Sequence, residues 1–169
     1  MSSPKEGTLR RAIALLSLLL LAACGFHLRG AYTLPFQTLY IDLPRTAELR
    51  ALLARSIAAS SDVRLVDTQK DAQATFLVTG DTQVKNILSI SSAGQAQSYQ
   101  LVRNFSFRLI DVKGRNWLPP SHIVLTRDIT FNNDLVLSKE SEETLLWRDI
   151  QNDLVQQVLR RLAAAKAPA

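Results

Sequence analysis

The sequence predicts an α+β domain, a two-layer sandwich in which two helices cover one face of a mainly antiparallel, four-stranded sheet. Three observations support this fold class. Apolar and polar residues alternate in long segments after residue 74, as they do in strands that are buried on one face. Two other segments repeat apolar residues every three or four positions, as helices do. The order along the chain is β-α-β-β-β-α, in which the two helices suffice to cover the sheet's apolar face.

The first part of the domain is predicted to hold one strand and one helix. Residues 38–42 have the composition of a strand, and Pro44 ends it. Thr46 is the expected N-cap of a helix that reaches about Ala59. The apolar stripe of this helix consists of Leu49, Leu52, Leu53 and Ile57.

Three strands are predicted next. Residues 74–90 form a long run rich in threonine, valine and isoleucine, with Gly80 as a possible bulge. Alternation of apolar and polar residues then predicts strands over 99–109 and 122–131. Polar, glycine-containing segments at 91–94 and 113–116 supply the connections between them.

The last predicted element is a helix from Ser141 to about Ala165. Its apolar residues recur every four positions, at Leu146, Ile150, Leu154, Val158 and Leu162. Three glutamates between 140 and 143 lie near its expected start, and Arg160, Arg161 and Lys166 lie near its end. This arrangement suits the helix dipole.

Residues 1–23 are predicted to be a lipoprotein signal peptide. Three basic residues before position 12 precede an apolar run from 12 to 23, which is too short to cross a bilayer as a helix. A buried N-terminal core helix is the alternative interpretation. Residues 21–24 (LAAC) resemble the bacterial lipobox, so Cys24 is the expected lipidation site. Gly25 after the cysteine, by resemblance to enterobacterial sorting, favours the outer membrane, on its periplasmic side.

The remaining chain divides into a lipidated tether over 24–36, a domain over 37–165 and a short tail over 166–169. Removal of the signal peptide leaves seventeen basic and fourteen acidic residues, a net charge of +3 that does not point to nucleic acid. One cysteine and two histidines make a disulfide or a zinc site unexpected. The sequence also lacks the serine-hydrolase, zinc-protease and phosphate-loop motifs. We therefore expect neither an enzyme nor a cofactor.

The basic residues are unevenly distributed. Between Lys85 and Lys139 they outnumber the acidic ones by seven to three. Arg103 and Arg127 fall in the apolar register of their strands, where an unpaired charge would be costly. They must pair with acids, reach the rim of the sheet or face an anionic ligand. At an outer membrane, that ligand would be lipopolysaccharide, whose phosphates suit arginine and lysine; ordinary ion pairs are the alternative.

Several segments of the mature chain together resemble one family. The resemblance begins at residues 25–30 (GFHLRG) and continues through 97–101 (QSYQL) and 105–109 (FSFRL). It includes 135–140 (LVLSKE) and the C-terminal helix. In these segments the chain resembles the LptE family of lipopolysaccharide-assembly lipoproteins.

The resemblance implies an outer-membrane lipoprotein that plugs the β-barrel LptD, helps assemble it and takes part in delivering lipopolysaccharide to the cell surface. It also implies lipopolysaccharide contacts by basic residues near one end of the sheet. Lys139 matches one family position, whereas Ser92 stands at the other. Lys85, Arg103 and Arg127 are the further candidates. The alternative function is that of a structural lipoprotein that scaffolds another periplasmic complex.

Overall fold

The computed structural model describes residues 32–130 and 136–168. The signal peptide, Cys24 and most of the tether therefore lie outside the described residues. The sheet strands are β1 (Thr38–Asp42), β2 (Arg64–Leu65), β3 (Ala74–Ile90), β4 (Ala96–Ile110) and β5 (Asn116–Thr130). The helices are α1 (Glu48–Ser60) and α2 (Val136–Ala163), and a 3-10 turn spans Gln69–Asp71.

The predicted fold class is confirmed, with two differences in the sheet. The strand order is β2-β1-β3-β4-β5, so the sheet has five strands instead of four. The additional strand, β2, is two residues long and too short to show any alternation. In addition, β1 is parallel to both β2 and β3, because the segment that joins β1 to β3 contains α1 and so returns the chain to the same end of the sheet. The pairs β3–β4 and β4–β5 are antiparallel, as predicted.

The core lies between the sheet and the two helices. Phe76, Phe105 and Phe107 are fully buried on the sheet side, and their rings lie 4.9 to 6.3 Å apart. The predicted helix stripes meet them. From α1 come Leu49, Leu53 and Ile57; from α2 come Ile150, Leu154, Val155, Val158, Leu159 and Leu162. Both helices thus cover the same face, as the apolar spacing predicts.

The β3–β4 hairpin extends beyond this core. Residues 81–90 of β3 are exposed along their whole length, whereas the strand begins with three buried residues. The predicted bulge is confirmed, because the register shifts between Val78 and Gly80. Ten residues of strand correspond to about 33 Å, so this half of the hairpin is a long projection.

Three predicted boundaries are wrong. The N-cap of α1 is Ala47, without a side-chain hydrogen bond, and not Thr46. Strand β5 begins at Asn116 and includes Pro119 and Pro120; an outermost strand tolerates prolines because one side of it has no neighbour. Helix α2 begins at Val136, so no acidic residue lies in its first turn. Two of the three glutamates in the second turn, Glu142 and Glu143, instead form ion pairs. Arg160 and Arg161 do lie in the last turn, as predicted.

Candidate functional site

Three of the four predicted lipopolysaccharide-binding residues lie side by side on the helix-covered face of the sheet. Lys85 of β3 is opposite Leu101, and Leu101 is opposite Arg127 of β5. Arg103 lies two residues further along β4, between these two. The fourth, Lys139, is in the first turn of α2. The alternation of the strands therefore places Lys85, Arg103 and Arg127 on one face, in the half of the sheet nearer the turn that joins β3 to β4.

Arg103 is the most buried of these cations, with 3% of its side chain exposed. Its Nε and Nη2 atoms donate to the two carboxylate oxygens of Asp81, at 2.9 and 2.8 Å. Its Nη1 donates to Oε1 of Gln151 in α2, at 3.0 Å. A planar guanidinium suits this bidentate arrangement, which satisfies a charge that would be costly if it were buried alone.

Lys85 links the hairpin to α2. Its Nζ lies 2.6 Å from Oε2 of Glu143 and 4.4 Å from the centre of the Tyr99 ring. The other oxygen of Glu143 accepts a weaker hydrogen bond from the indole of Trp147, at 3.4 Å. Lys85 is thus held by an ion pair and by a cation–π contact, and about a third of its side chain remains exposed.

Arg127 and Lys139 also form ion pairs, and that of Arg127 is the longer one. Arg127 donates to Asp153 of α2 at 3.3 Å and to the carbonyl oxygen of Thr126 at 2.8 Å. Lys139 pairs with Glu142, one turn further along α2, at 2.7 Å. All four predicted residues thus form ion pairs within the chain. We call three of these pairs (Lys85–Glu143, Arg103–Asp81 and Arg127–Asp153) the ion-pair belt.

Sequence reasoning missed the apolar side chains of the projecting hairpin. Ile87 and Ile90 are 61% and 63% exposed, and Leu88 and Val84 are also largely exposed. The adjacent apolar pair Ile87-Leu88 breaks the alternation of β3, which is a signal that the sequence does contain. The structure has a register shift here, between Ile87 and Ser89. Ser92, the departure from the family pattern, is exposed in the turn that ends this hairpin. The hairpin end therefore combines apolar side chains with the neighbouring cations.

The opposite end of the sheet carries a tightly bonded turn. Burial of Asp111 raises the pKa of its carboxyl group, but other contacts outweigh this effect. The carboxylate accepts hydrogen bonds from the backbone N–H groups of Arg115 and Lys113 and from the Arg115 guanidinium, at 2.8 Å each. These bonds and the charge of Arg115 lower the pKa of Asp111 below its usual value of 3.8. The turn is thus fixed by an ionised aspartate.

The described residues contain no group of three histidine, cysteine or acidic side chains that would hold a metal ion. His122 lies within β5, and its Nδ1 is 2.9 Å from the hydroxyl oxygen of Ser106. Within the same part of the chain, no helix combines the length and apolar character that crossing a bilayer requires.

Comparison with known proteins agrees with this architecture. A solved structure of lipoprotein B from Nitrosomonas europaea has a TM-score of 0.72 and 33% identity, covering 83% of this chain and 91% of that one. A minor lipoprotein from Acinetobacter baumannii has a TM-score of 0.65 at 23% identity, covering 81% of this chain and all of the other. The second likeness concerns the fold alone.

Curated relatives and a family model identify the family. The LPS-assembly lipoprotein LptE of Pectobacterium atrosepticum is 28% identical over 151 residues, which cover 87% of this chain and 80% of the relative. The protein of the same name from Yersinia enterocolitica is 28% identical over 159 residues, covering 90% and 74%. The family model for LptE, described as lipopolysaccharide-assembly, matches residues 36–162. The chain therefore belongs to the LptE family of lipopolysaccharide-assembly lipoproteins.

Proposed function

We propose that this protein is anchored to the outer membrane through lipid on Cys24, where it plugs and helps assemble the β-barrel LptD and takes part in delivering lipopolysaccharide. The observation that carries the proposal is the family match over residues 36–162, which spans the sheet and both helices. The lipobox supports the anchor, since a thiol directly after an apolar segment accepts lipid.

The hairpin is the part of the chain best suited to lipopolysaccharide. Ile87 and Ile90 offer exposed apolar surface for acyl chains. Lys85, Arg127 and Lys139 offer positive charge for phosphates nearby, once these exchange their acidic partners for the ligand. Arg127 is the easiest to release, because its contact with Asp153 is the longest in the ion-pair belt. Arg103 is buried, so its role is to position the strands and not to touch the ligand.

A pull-down tests the partnership with the barrel. The tagged, acylated protein is solubilised from outer membranes and captured. We expect one large barrel protein to be recovered in about equal amount. Recovery of no barrel would contradict the proposal that the protein plugs a barrel. Depletion of the protein from cells then distinguishes delivery of lipopolysaccharide from scaffolding of another complex. If the protein delivers lipopolysaccharide, its depletion causes lipopolysaccharide to accumulate internally; a scaffold for another complex would leave surface lipopolysaccharide normal.

A binding experiment tests the cations. The variant with Arg127→Gln and Lys139→Gln should bind lipopolysaccharide about tenfold more weakly, because two charge-assisted contacts are lost. The matched control is Arg55→Gln with Arg148→Gln. It removes the same charge from two exposed arginines whose side chains have no partner among the described residues. Equal affinity of the two variants would remove Arg127 and Lys139 from the site.

A further inference from the structure

The cations without an internal partner are concentrated at the end of the domain opposite the hairpin. We call this the anchor end; it comprises the start of β1 and of β3, the turn 111–115 and the chain after α2. Six basic side chains there have no side-chain partner among residues 32–130 and 136–168. They are Arg64, Lys70, Lys113, Arg160, Arg161 and Lys166. The ion-pair belt, by contrast, neutralises its cations internally.

Acidic residues at the anchor end do not offset this charge. Asp111 is bound to Arg115, and Asp67 pairs with Arg45 at 2.6 Å. Asp62 and Asp71 remain, against six cations. Between these charges, Val112 projects at the tip of the turn with 59% of its surface exposed. An exposed apolar side chain among cations is typical of a surface that meets lipid headgroups.

The chain also enters the domain at this end. The N–H of Tyr32 donates to the carbonyl oxygen of Ser60 at 2.7 Å, and the rings of Phe36 and Trp117 lie 5.7 Å apart. The N–H of Lys166 donates to the carbonyl oxygen of Trp117 at 3.0 Å. An open pocket of about 460 Å³ between Pro35, Asp111 and Pro168 marks where the chain entry, the turn and the tail meet.

The tether limits how far this end is from the membrane. Tyr32 lies eight positions after Cys24, and a fully extended chain of that length spans at most about 28 Å. A lipid on Cys24 therefore keeps the anchor end within that distance of the leaflet that holds the lipid. This step depends on the acylation that the proposed function includes.

We infer that, before the protein enters a barrel, the anchor end lies against the membrane and its unpaired cations bind anionic phospholipid headgroups. Cations close to an anionic surface are attracted to it within about a Debye length, so the tether brings them into range. The domain then stands on its anchor end, and the hairpin points away from the bilayer. In that orientation the apolar hairpin is accessible to a partner and to lipopolysaccharide.

Site-specific fluorescence tests this orientation with the full acylated chain in vesicles. Cys24 is the only cysteine, and its sulfur carries the lipid, so an introduced cysteine is the only thiol to be labelled. The dye is placed by Ala167→Cys at the anchor end or by Ser92→Cys at the hairpin, and headgroup-labelled lipid quenches it. We expect roughly twofold stronger quenching at 167 than at 92 in phosphatidylcholine with phosphatidylglycerol, and a loss of this difference in phosphatidylcholine alone or at raised salt.

Charge variants complete the test. In the labelled Ala167→Cys protein, Lys113→Gln, Arg160→Gln and Lys166→Gln together should reduce quenching by about half, whereas Arg55→Gln with Arg148→Gln should not. Equal quenching at positions 167 and 92 would overturn the inference, and so would quenching that does not depend on phosphatidylglycerol. Neither measurement requires the triple variant to fold. Mass spectrometry of the same preparation separates the two proposals, because a chain without acyl mass contradicts the proposed anchor itself.

Discussion

The guanidinium of Arg103 and the carboxylate of Asp81 face each other in a bidentate ion pair across the β3–β4 hairpin, with contacts of 2.9 and 2.8 Å. The two residues are diagonal neighbours, since Asp81 is opposite Phe105 and Arg103 is opposite Gln83. The pair lies where the hydrophobic core gives way to the projecting hairpin, and it also contacts α2 through Gln151. It therefore couples the hairpin to the body of the domain.

Replacement of Asp81 by asparagine should destabilise the domain by about 1.5–3 kcal/mol, because the buried guanidinium of Arg103 loses its charged partner. Urea unfolding followed by circular dichroism measures this change. Asp149→Asn is the matched control, since Asp149 is exposed on α2 and its side chain has no partner among the described residues. The same unfolding free energy for both variants would contradict a structural role for the Asp81 pair.

Phe105→Ala should cost about 3–5 kcal/mol, since it removes a fully buried ring from the stack of Phe76, Phe105 and Phe107. Ile87→Ala provides the comparison, because Ile87 is a large apolar residue of the exposed hairpin and its truncation should change stability by less than about 0.5 kcal/mol. Chemical denaturation of both variants checks the difference. A large loss for Ile87→Ala would mean that the hairpin packs against more of the chain than the structure describes.

The Asp111 turn should make stability sensitive to acid. The folded-state pKa of Asp111 is lowered, so its carboxylate stabilises the fold at pH values above its usual pKa of 3.8. That stabilisation is lost as the pH falls below about 4 and through the lowered folded-state pKa. Denaturant midpoints measured from neutral pH to acid should therefore converge for the native chain and Asp111→Asn. Parallel curves would contradict this assignment.

The apolar hairpin should matter for ligand binding and not for folding. Ile87→Asn with Ile90→Asn should weaken binding of lipopolysaccharide severalfold, because exposed apolar surface for acyl chains is removed. Thermal unfolding should be nearly unchanged, because both side chains are exposed. Binding is measured by co-sedimentation with lipopolysaccharide, and Val124→Asn with Leu145→Asn controls for the loss of two exposed apolar residues outside the hairpin. Unchanged binding in the hairpin variant would exclude these isoleucines from the contact.

Elements with long apolar–polar patterns could be predicted from the sequence, and short elements could not. Strands β3 and β4 show enough alternation to be found from sequence alone, and the apolar stripe of α2 contains five residues at a spacing of four. Strand β2 has two residues, and its pairing with β1 depends on a parallel contact between Thr38 and Arg64 that no local pattern encodes. The start of α2 was missed because serine is a good N-cap, so Ser141 resembles a helix start although it lies inside the helix.

The sequence predicts where the basic residues of the candidate site lie, but it does not predict which acidic residues pair with them. Arg103 and Arg127 stand out because each interrupts an apolar register. The partners of these arginines come from elsewhere in the chain: Asp81 lies 22 residues from Arg103, and Asp153 lies 26 residues from Arg127. Such pairs require the strand register and the rotation of α2, which only the tertiary structure provides. Binding of lipopolysaccharide by Lys85, Arg127 and Lys139 stays a prediction.

Pro119 and Pro120 have a consequence for crowded membranes. They lie in β5, the outermost strand, and neither residue has an N–H group that a further strand could use. If copies are anchored in one leaflet as proposed, their sheet edges would meet at high local density, where an open strand invites sheet extension from molecule to molecule. The two prolines would interrupt such an extension, because a neighbouring strand would find no N–H donor at these two positions.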